Sequence, residues 1–258
     1  MARAVRHYIP GYVWHITHRC HKREFLLKFQ KDRNTWLKWL FQAKKRYGLK
    51  VLNYTVTSNH IHILVHDDNS QNIIPSSIKL AAGCTGQHYN KRKNRKGAFW
   101  EDRYHATAVQ HDHHLVQCML YIDLNMVRAG VVGHPNEWAA NGYNEIVRPK
   151  DRYNIIDHQS LKRFLNIDNG EELRQRYQGW VDTALAERKN ERSDKWTESI
   201  AVGEKSFVQK VKDLLGYRVK GRGIHKDDGA YKLKETAAHY GLDEENIENT
   251  HLWERRYS

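Results

Sequence analysis

The stretch Asn59-His60-Ile61-His62-Ile63-Leu64-Val65 decides how this chain is read. Its β-branched, apolar run marks a strand, and on a strand side chains two apart share a face. His60 and His62 therefore stand on one face, and Ile61, Ile63 and Val65 on the other. Two imidazoles side by side at a strand end can hold one metal ion. A lone His-x-His is more often two unrelated polar residues on a half-exposed strand. The pair gains meaning only from what surrounds it.

Immediately upstream, residues 50–57 read as another strand, and Ser58-Asn59 supplies turn chemistry, so an antiparallel hairpin is predicted. Residues 11–19 alternate aromatic and β-branched types and predict a first strand, with Tyr12, Trp14, Ile16 and His18 on one face and Val13, His15 and Thr17 on the other. Between them, Trp36, Leu37, Leu40, Phe41 and Ala43 fall at helical spacing over 30–47, and Gly48 is a stop. Downstream, a second helix is predicted from Ile73 to about Lys93. A fourth strand lies in the second half of 98–110. A third helix, capped by Asp112 and ended by Gly130, carries Leu115, Val116, Cys118, Met119, Ile122 and Val127.

The order β-α-β-β-α-β-α predicts an α+β, ferredoxin-like antiparallel sheet with helices on one face. The character changes after Glu145. Residues 1–147 are therefore expected to form the catalytic domain and 148–258 a mainly helical C-terminal extension. Its expected helices lie over 161–190, 204–215 and about Tyr231 to Tyr240, with a basic, glycine-rich loop from Lys220 to Lys226.

The chain has 258 residues, 40% of them hydrophobic, and a formal charge of +13, which favours a polyanionic partner, most often nucleic acid. Cys20, Cys84 and Cys118 are odd in number and widely spaced, which speaks against a disulfide framework or a zinc knuckle. The first ten residues lack the apolar core of a signal peptide, and no stretch approaches a membrane span. A cytoplasmic protein without a membrane partner is expected.

The second half of the site lies in Tyr121-Ile122-Asp123-Leu124-Asn125. Residues four apart on a helix are neighbours, so Tyr121 and Asn125 face together and Asp123 points elsewhere. Presented to two histidines, an amide oxygen can be a third metal ligand and a phenol a nucleophile. A divalent ion offsets the charge of a phosphodiester, and a tyrosine that attacks it conserves the bond energy in a covalent phosphotyrosine. Two imidazoles and an amide suit Mg²⁺ or Mn²⁺, and the imidazoles lean toward Mn²⁺.

At this point the sequence resembles a known family. Asn59 to Val65 is similar to the histidine–hydrophobe–histidine signature of single-tyrosine HUH endonucleases. Tyr121 to Gly130 resembles the nucleophile helix of their transposase branch, commonly Tyr-Ile-x-x-Asn-Pro-Val-Arg-Ala-Gly, with Met126 in place of the proline. Phe99 to His105 resembles the strand entry between them. The resemblance covers roughly residues 8–145 and is nearest to the REP-associated tyrosine transposases. It implies metal ligation by His60, His62 and Asn125 and a nucleophilic Tyr121. It also implies cleavage and rejoining of single-stranded DNA through a 5′-phosphotyrosine, on hairpins of repetitive extragenic palindromes. Such relatives can pair as homodimers.

Candidate DNA contacts are the basic run Lys91, Arg92, Lys93, Arg95 and Lys96, the mixed group Trp100, Arg103, Tyr104 and His105, and Arg128. His15, His18, His21, His111, His113 and His114 are read as structural or surface residues. Three other readings stand beside a transesterase: a domesticated, non-catalytic palindrome binder, a replication initiator or relaxase with the same chemistry, and an RNA-binding module on the same sheet. The complete set of His60, His62, Tyr121 and Asn125 argues against a pure binder. The chain shows neither a second tyrosine on the nucleophile helix nor a helicase region. An RNA-binding sheet would want aromatics where His60 and His62 stand.

Overall fold

The structure is a computed structural model and describes residues 8–66, 72–187, 193–227 and 229–235. The first half follows the predicted order. β1 (Val13–Arg19) leads to α1 (Gln30–Tyr47), then β2 (Lys50–Val56), β3 (His60–His66), α2 (Ile73–Arg92), β4 (His105–Val109) and α3 (His113–Asp123). α1 stops where Gly48 takes a left-handed conformation (φ 74°) that side chains resist. β2 and β3 form the predicted antiparallel hairpin, Val56 opposite Ile61, with an irregularity between Val51 and Asn53. β1 lies antiparallel to both β3 and β4. The order β2-β3-β1-β4 is ferredoxin-like.

The two sheet faces have different work. Trp14, Ile16, Ile61, Ile63 and Val65 are buried. His18, on the Trp14 face, stacks on Trp100, whose Nε1 donates to the Ala82 carbonyl of α2 at 3.0 Å. α2 therefore covers the apolar face, with α1 packed against it. The opposite face carries His15, Thr17, His60, His62, His105 and Thr107, and α3 crosses it. So the first two helices share one face, as expected, and the third takes the other.

Asp112 was expected to cap α3. Its side chain instead meets the His111 Nδ1 at 2.8 Å, and its backbone has a positive φ, so it makes no cap bond. After α3 a single residue, Leu124 (ψ 3°), interrupts the spiral before α4 (Asn125–Arg128). Hydrogen bonds from Leu124 to Leu120 and from Arg128 to Leu124, both 2.9 Å, carry the chain across.

The remaining elements are α5 (Gly142–Val147), α6 (His158–Leu165), α7 (Gly170–Ala186), α8 (Lys195–Glu198), β5 (Ala201–Gly203), α9 (Lys205–Leu215), β6 (Arg222–Asp227) and β7 (Ala230–Glu235). The helices over 161–190 and 204–215 match expectation. The strands were not expected. β5 pairs parallel with β4, and the β6–β7 hairpin continues the sheet beyond it, giving seven strands among the described residues. The basic loop at 220–226 is largely strand β6. The helix expected from Tyr231 is strand β7 as far as Glu235, and its remainder lies outside the described residues. Alternation of Tyr231 and Leu233 with Lys232 and Lys234 fits a strand better than a helix. Among the described residues no helix is long and apolar enough to cross a membrane.

Candidate active site

β3 brings His60 and His62 to one face, and the end of α3 hangs Tyr121 and Asn125 over it. The Asn125 amide lies 3.1 Å from His62 Nε2. The ring centres of His60 and His62 are 4.8 Å apart, and Tyr121 stands edge-on to His62 at 5.7 Å. Four residues from two distant parts of the chain thus converge. Asp123, one residue past the neighbours of Tyr121, points away. It is buried, accepts from the Tyr177 hydroxyl of α7, and burial pushes its carboxyl up to about 7.

Each histidine is anchored from behind. His60 Nδ1 meets Asn59 Oδ1 at 2.7 Å and Thr57 Oγ1 at 2.9 Å, and Asn59 is itself fixed by donating to the Arg23 carbonyl. His62 Nδ1 meets His15 Nε2 at 3.0 Å. His62 is fully enclosed. Burial first, then the charges around it (His60, His15, Arg128 and Arg19), hold it well below the usual imidazole range, so the ring is neutral. A neutral imidazole with an anchored Nδ1 is the form that ligates a metal through Nε2.

Two imidazoles and one carboxamide therefore fit a divalent ion with open coordination positions. Turning the Asn125 amide would present its oxygen, since the two ends of an amide are interchangeable in outline. Among the described residues no three His, Cys, Asp or Glu side chains form such a group, so an amide oxygen is needed to complete a three-donor set.

Arg128 treats the Tyr121 residue at both ends. Its guanidinium lies over the phenol ring, 4.3 Å from the centre, and Nη2 donates to the Tyr121 carbonyl at 2.5 Å. A cation on the ring stabilises developing phenolate charge. The four residues open into a cleft of about 650 Å³, also lined by Arg19, Arg23, Arg103 and Arg128 and by Glu101, Asp102 and Glu198.

The other sequence candidates divide. Arg103 is exposed at the cleft, and Lys91, Lys93 and Lys96 are exposed on and after the end of α2. Arg92 is instead paired with the buried Asp32, and Arg95 bonds Ala98 and Glu24. Tyr104 is buried, and half-buried Trp100 is sandwiched between His18 and α2. Both pack the core where a stacking platform was expected, because the apolar sheet face needs them there. Exposed aromatics occur elsewhere: Phe25 and Phe29 are 66% and 58% exposed, and Lys28 and Lys93 both lie over the Phe29 ring. Sequence reading missed these two, and it missed His15, Asn59 and Trp196 as supports. Only the His15 face assignment hinted at its place.

Residues 9–125 match the family model described as transposase, IS200-like. The match begins before β1 and ends on Asn125. This segment is similar to the IS200-like transposases. No curated protein matches in sequence. Among solved structures, a REP-associated tyrosine transposase bound to a REP hairpin aligns at 17% identity and TM-score 0.49, over 61% of this chain and 94% of its own. A candidate transposase of Deinococcus radiodurans R1 aligns at 19% identity and TM-score 0.34, over 46% and 93%. A bacterial tRNA(His) guanylyltransferase-like protein with ATP gives 13% identity and TM-score 0.37, over 73% and 76%. The IS200-like segment ends at the cleft, and the chain beyond it supplies β5 to β7.

Proposed function

We propose that this protein is a metal-dependent, single-stranded DNA transesterase in which Tyr121 is the nucleophile and His60, His62 and Asn125 hold the ion. The observation that carries this reading is the meeting of His62 with Asn125 and Tyr121 across a cleft edged by four arginines. When bound, a divalent ion polarises a non-bridging phosphate oxygen and offsets its charge. The residues of this chain do the rest. Arginines draw in the phosphate. The Tyr121 oxygen forms a bond to phosphorus as the P–O3′ bond breaks. The 3′ oxygen leaves as a hydroxyl, taking up a proton, and the 5′ side stays on the phenol oxygen. Arg128 steadies the phenolate. The reverse attack by a 3′-hydroxyl rejoins the strand and frees Tyr121.

The motif Tyr121-Ile-x-x-Asn125-x-Val127-Arg128-Ala129-Gly130 supports REP-type hairpins as the substrate. Exposed Lys91, Lys93, Lys96 and Arg103 offer phosphate contacts, and Phe25 and Phe29 offer faces for unpaired bases. The test is incubation of palindromic single strands with the protein and Mn²⁺. Wild-type protein should nick them, and Tyr121→Phe should bind with similar affinity and cut at least about a thousandfold more slowly. Nicking by the Phe variant would remove Tyr121 from the mechanism. Tight hairpin binding without nicking by the wild type would favour a binder.

A further inference from the structure

On the polar sheet face, a buried histidine that the transesterase reading does not use touches the site directly. His15 is fully buried. Its Nδ1 lies 2.8 Å from the Trp196 carbonyl, and its Nε2 lies 3.0 Å from His62 Nδ1. The two rings are nearly parallel, 8° apart. Trp196 belongs to α8, far beyond the IS200-like segment.

We propose that His15 is a positioning residue: held by the Trp196 carbonyl of the C-terminal segment, it locks His62 in the Nδ1–H tautomer and aims the Nε2 lone pair of His62 into the cleft, toward a divalent cation. The proposal rests on the transesterase reading for the cation and on hydrogen-bond elimination for the tautomer. A carbonyl oxygen only accepts, so His15 Nδ1 carries the proton. Neutral His15 then has only a lone pair at Nε2. The hydrogen on that 3.0 Å contact must belong to His62 Nδ1. A neutral His62 protonated at Nδ1 has its lone pair at Nε2, the atom that faces Asn125.

Both ends of the relay are fixed. The Ser199 carbonyl, three residues on, accepts from the Thr107 hydroxyl at 2.6 Å and from His105 Nε2 at 2.9 Å, and the same hydroxyl lies 3.2 Å from the Trp196 carbonyl. The strap from Trp196 to Ser199 is thereby tied to two strands of the transposase sheet. His15 is fully buried between a carbonyl and a second imidazole, a setting that favours the neutral ring, so the proton assignment follows from the hydrogen-bond geometry. Without His15, His62 would keep its place on β3 but lose the acceptor that Nδ1–H has among the described residues, and either nitrogen could carry the proton.

The tautomer is read directly by long-range ¹H–¹⁵N spectra of the imidazoles in metal-free, full-length protein, and cation affinity by Mn²⁺ titration. Wild-type protein should show His62 protonated at Nδ1. His15→Leu should lose this single tautomer and weaken Mn²⁺ binding about 10- to 100-fold. His15→Gln, whose amide oxygen can accept from Nδ1–H, should restore the tautomer and most of the affinity. Protonation of His62 at Nε2 in the wild type, or a His15→Leu variant with unchanged tautomer and affinity, would overturn the proposal. So would failure of His15→Gln to outperform His15→Leu. If wild-type protein shows the Nδ1–H tautomer yet binds no Mn²⁺, the relay stands and the metal role falls.

Discussion

Asp123 sits within one helical turn of the nucleophile candidate and Arg128 about two turns beyond it, and the two act in opposite senses. Arg128 is bonded to the Tyr121 backbone and placed over its ring. Arg128→Ala should slow strand cleavage about 100- to 1,000-fold, with hairpin affinity less affected, as read from single-turnover nicking. Asp123 faces the interior and supports structure. Its folded pKa of about 7 lies above the usual 3.8, so between those values the folded state holds a proton that the unfolded chain has released. Stability from this group is therefore greatest at low pH and declines as pH rises through 7. Asp123→Asn should flatten that decline, so that melting temperature falls less than in wild type between about pH 4 and about pH 7. An unchanged pH slope would remove Asp123 from the linkage. At this scale the sequence was readable where spacing alone sets a face, as for Tyr121, Asn125 and Asp123, which turns away from the site into the interior. His15 was unreadable because its partner depends on strand register, which sets Thr17 opposite His62 and leaves His15 diagonal to it.

The elements of the first half were legible because their periodicity is unbroken and their turns carry Gly48 or Ser58-Asn59. α5 meets β2 closely, and there a glycine is required. A Cβ on Gly142 would strike the Asn53 side chain and come within 2.9 Å of the Tyr54 backbone nitrogen. Gly142→Ala should cost about 1–3 kcal/mol in urea unfolding, since backbone cannot yield as a flexible side chain does. The end of α2 makes the other element-scale prediction. Replacing Lys91, Lys93 and Lys96 by Ala should reduce the slope of log affinity against log salt by about 2, because each single-strand phosphate contact releases roughly 0.7 counterion. An unchanged slope would place the DNA path elsewhere. β5 escaped notice for a physical reason: three residues carry no period, and its pairing partners, β4 and β7, are remote in sequence.

For the whole molecule, the boundary expected at residue 147 meets a continuous sheet. We propose that the C-terminal extension is part of the catalytic body. Tyr177 bonds Asp123, the Trp196 carbonyl bonds His15, and β5 covers the edge of β4. A chain ending at 147 should lose cooperative melting and amide protection in β1 and β4, whereas an unchanged melting temperature would make the extension an appendage. The site itself is divided across this body, two ligands on a strand and the rest on a helix, and it exists only when the sheet is folded. The most direct measurement of the central claim is mass spectrometry of the covalent species formed with a palindromic single strand and Mn²⁺, after nuclease and protease digestion. The expected result is a nucleotide phosphate carried on the peptide containing Tyr121 through its phenol oxygen. A nucleotide on any other residue, or nicked DNA with no protein adduct, would contradict it.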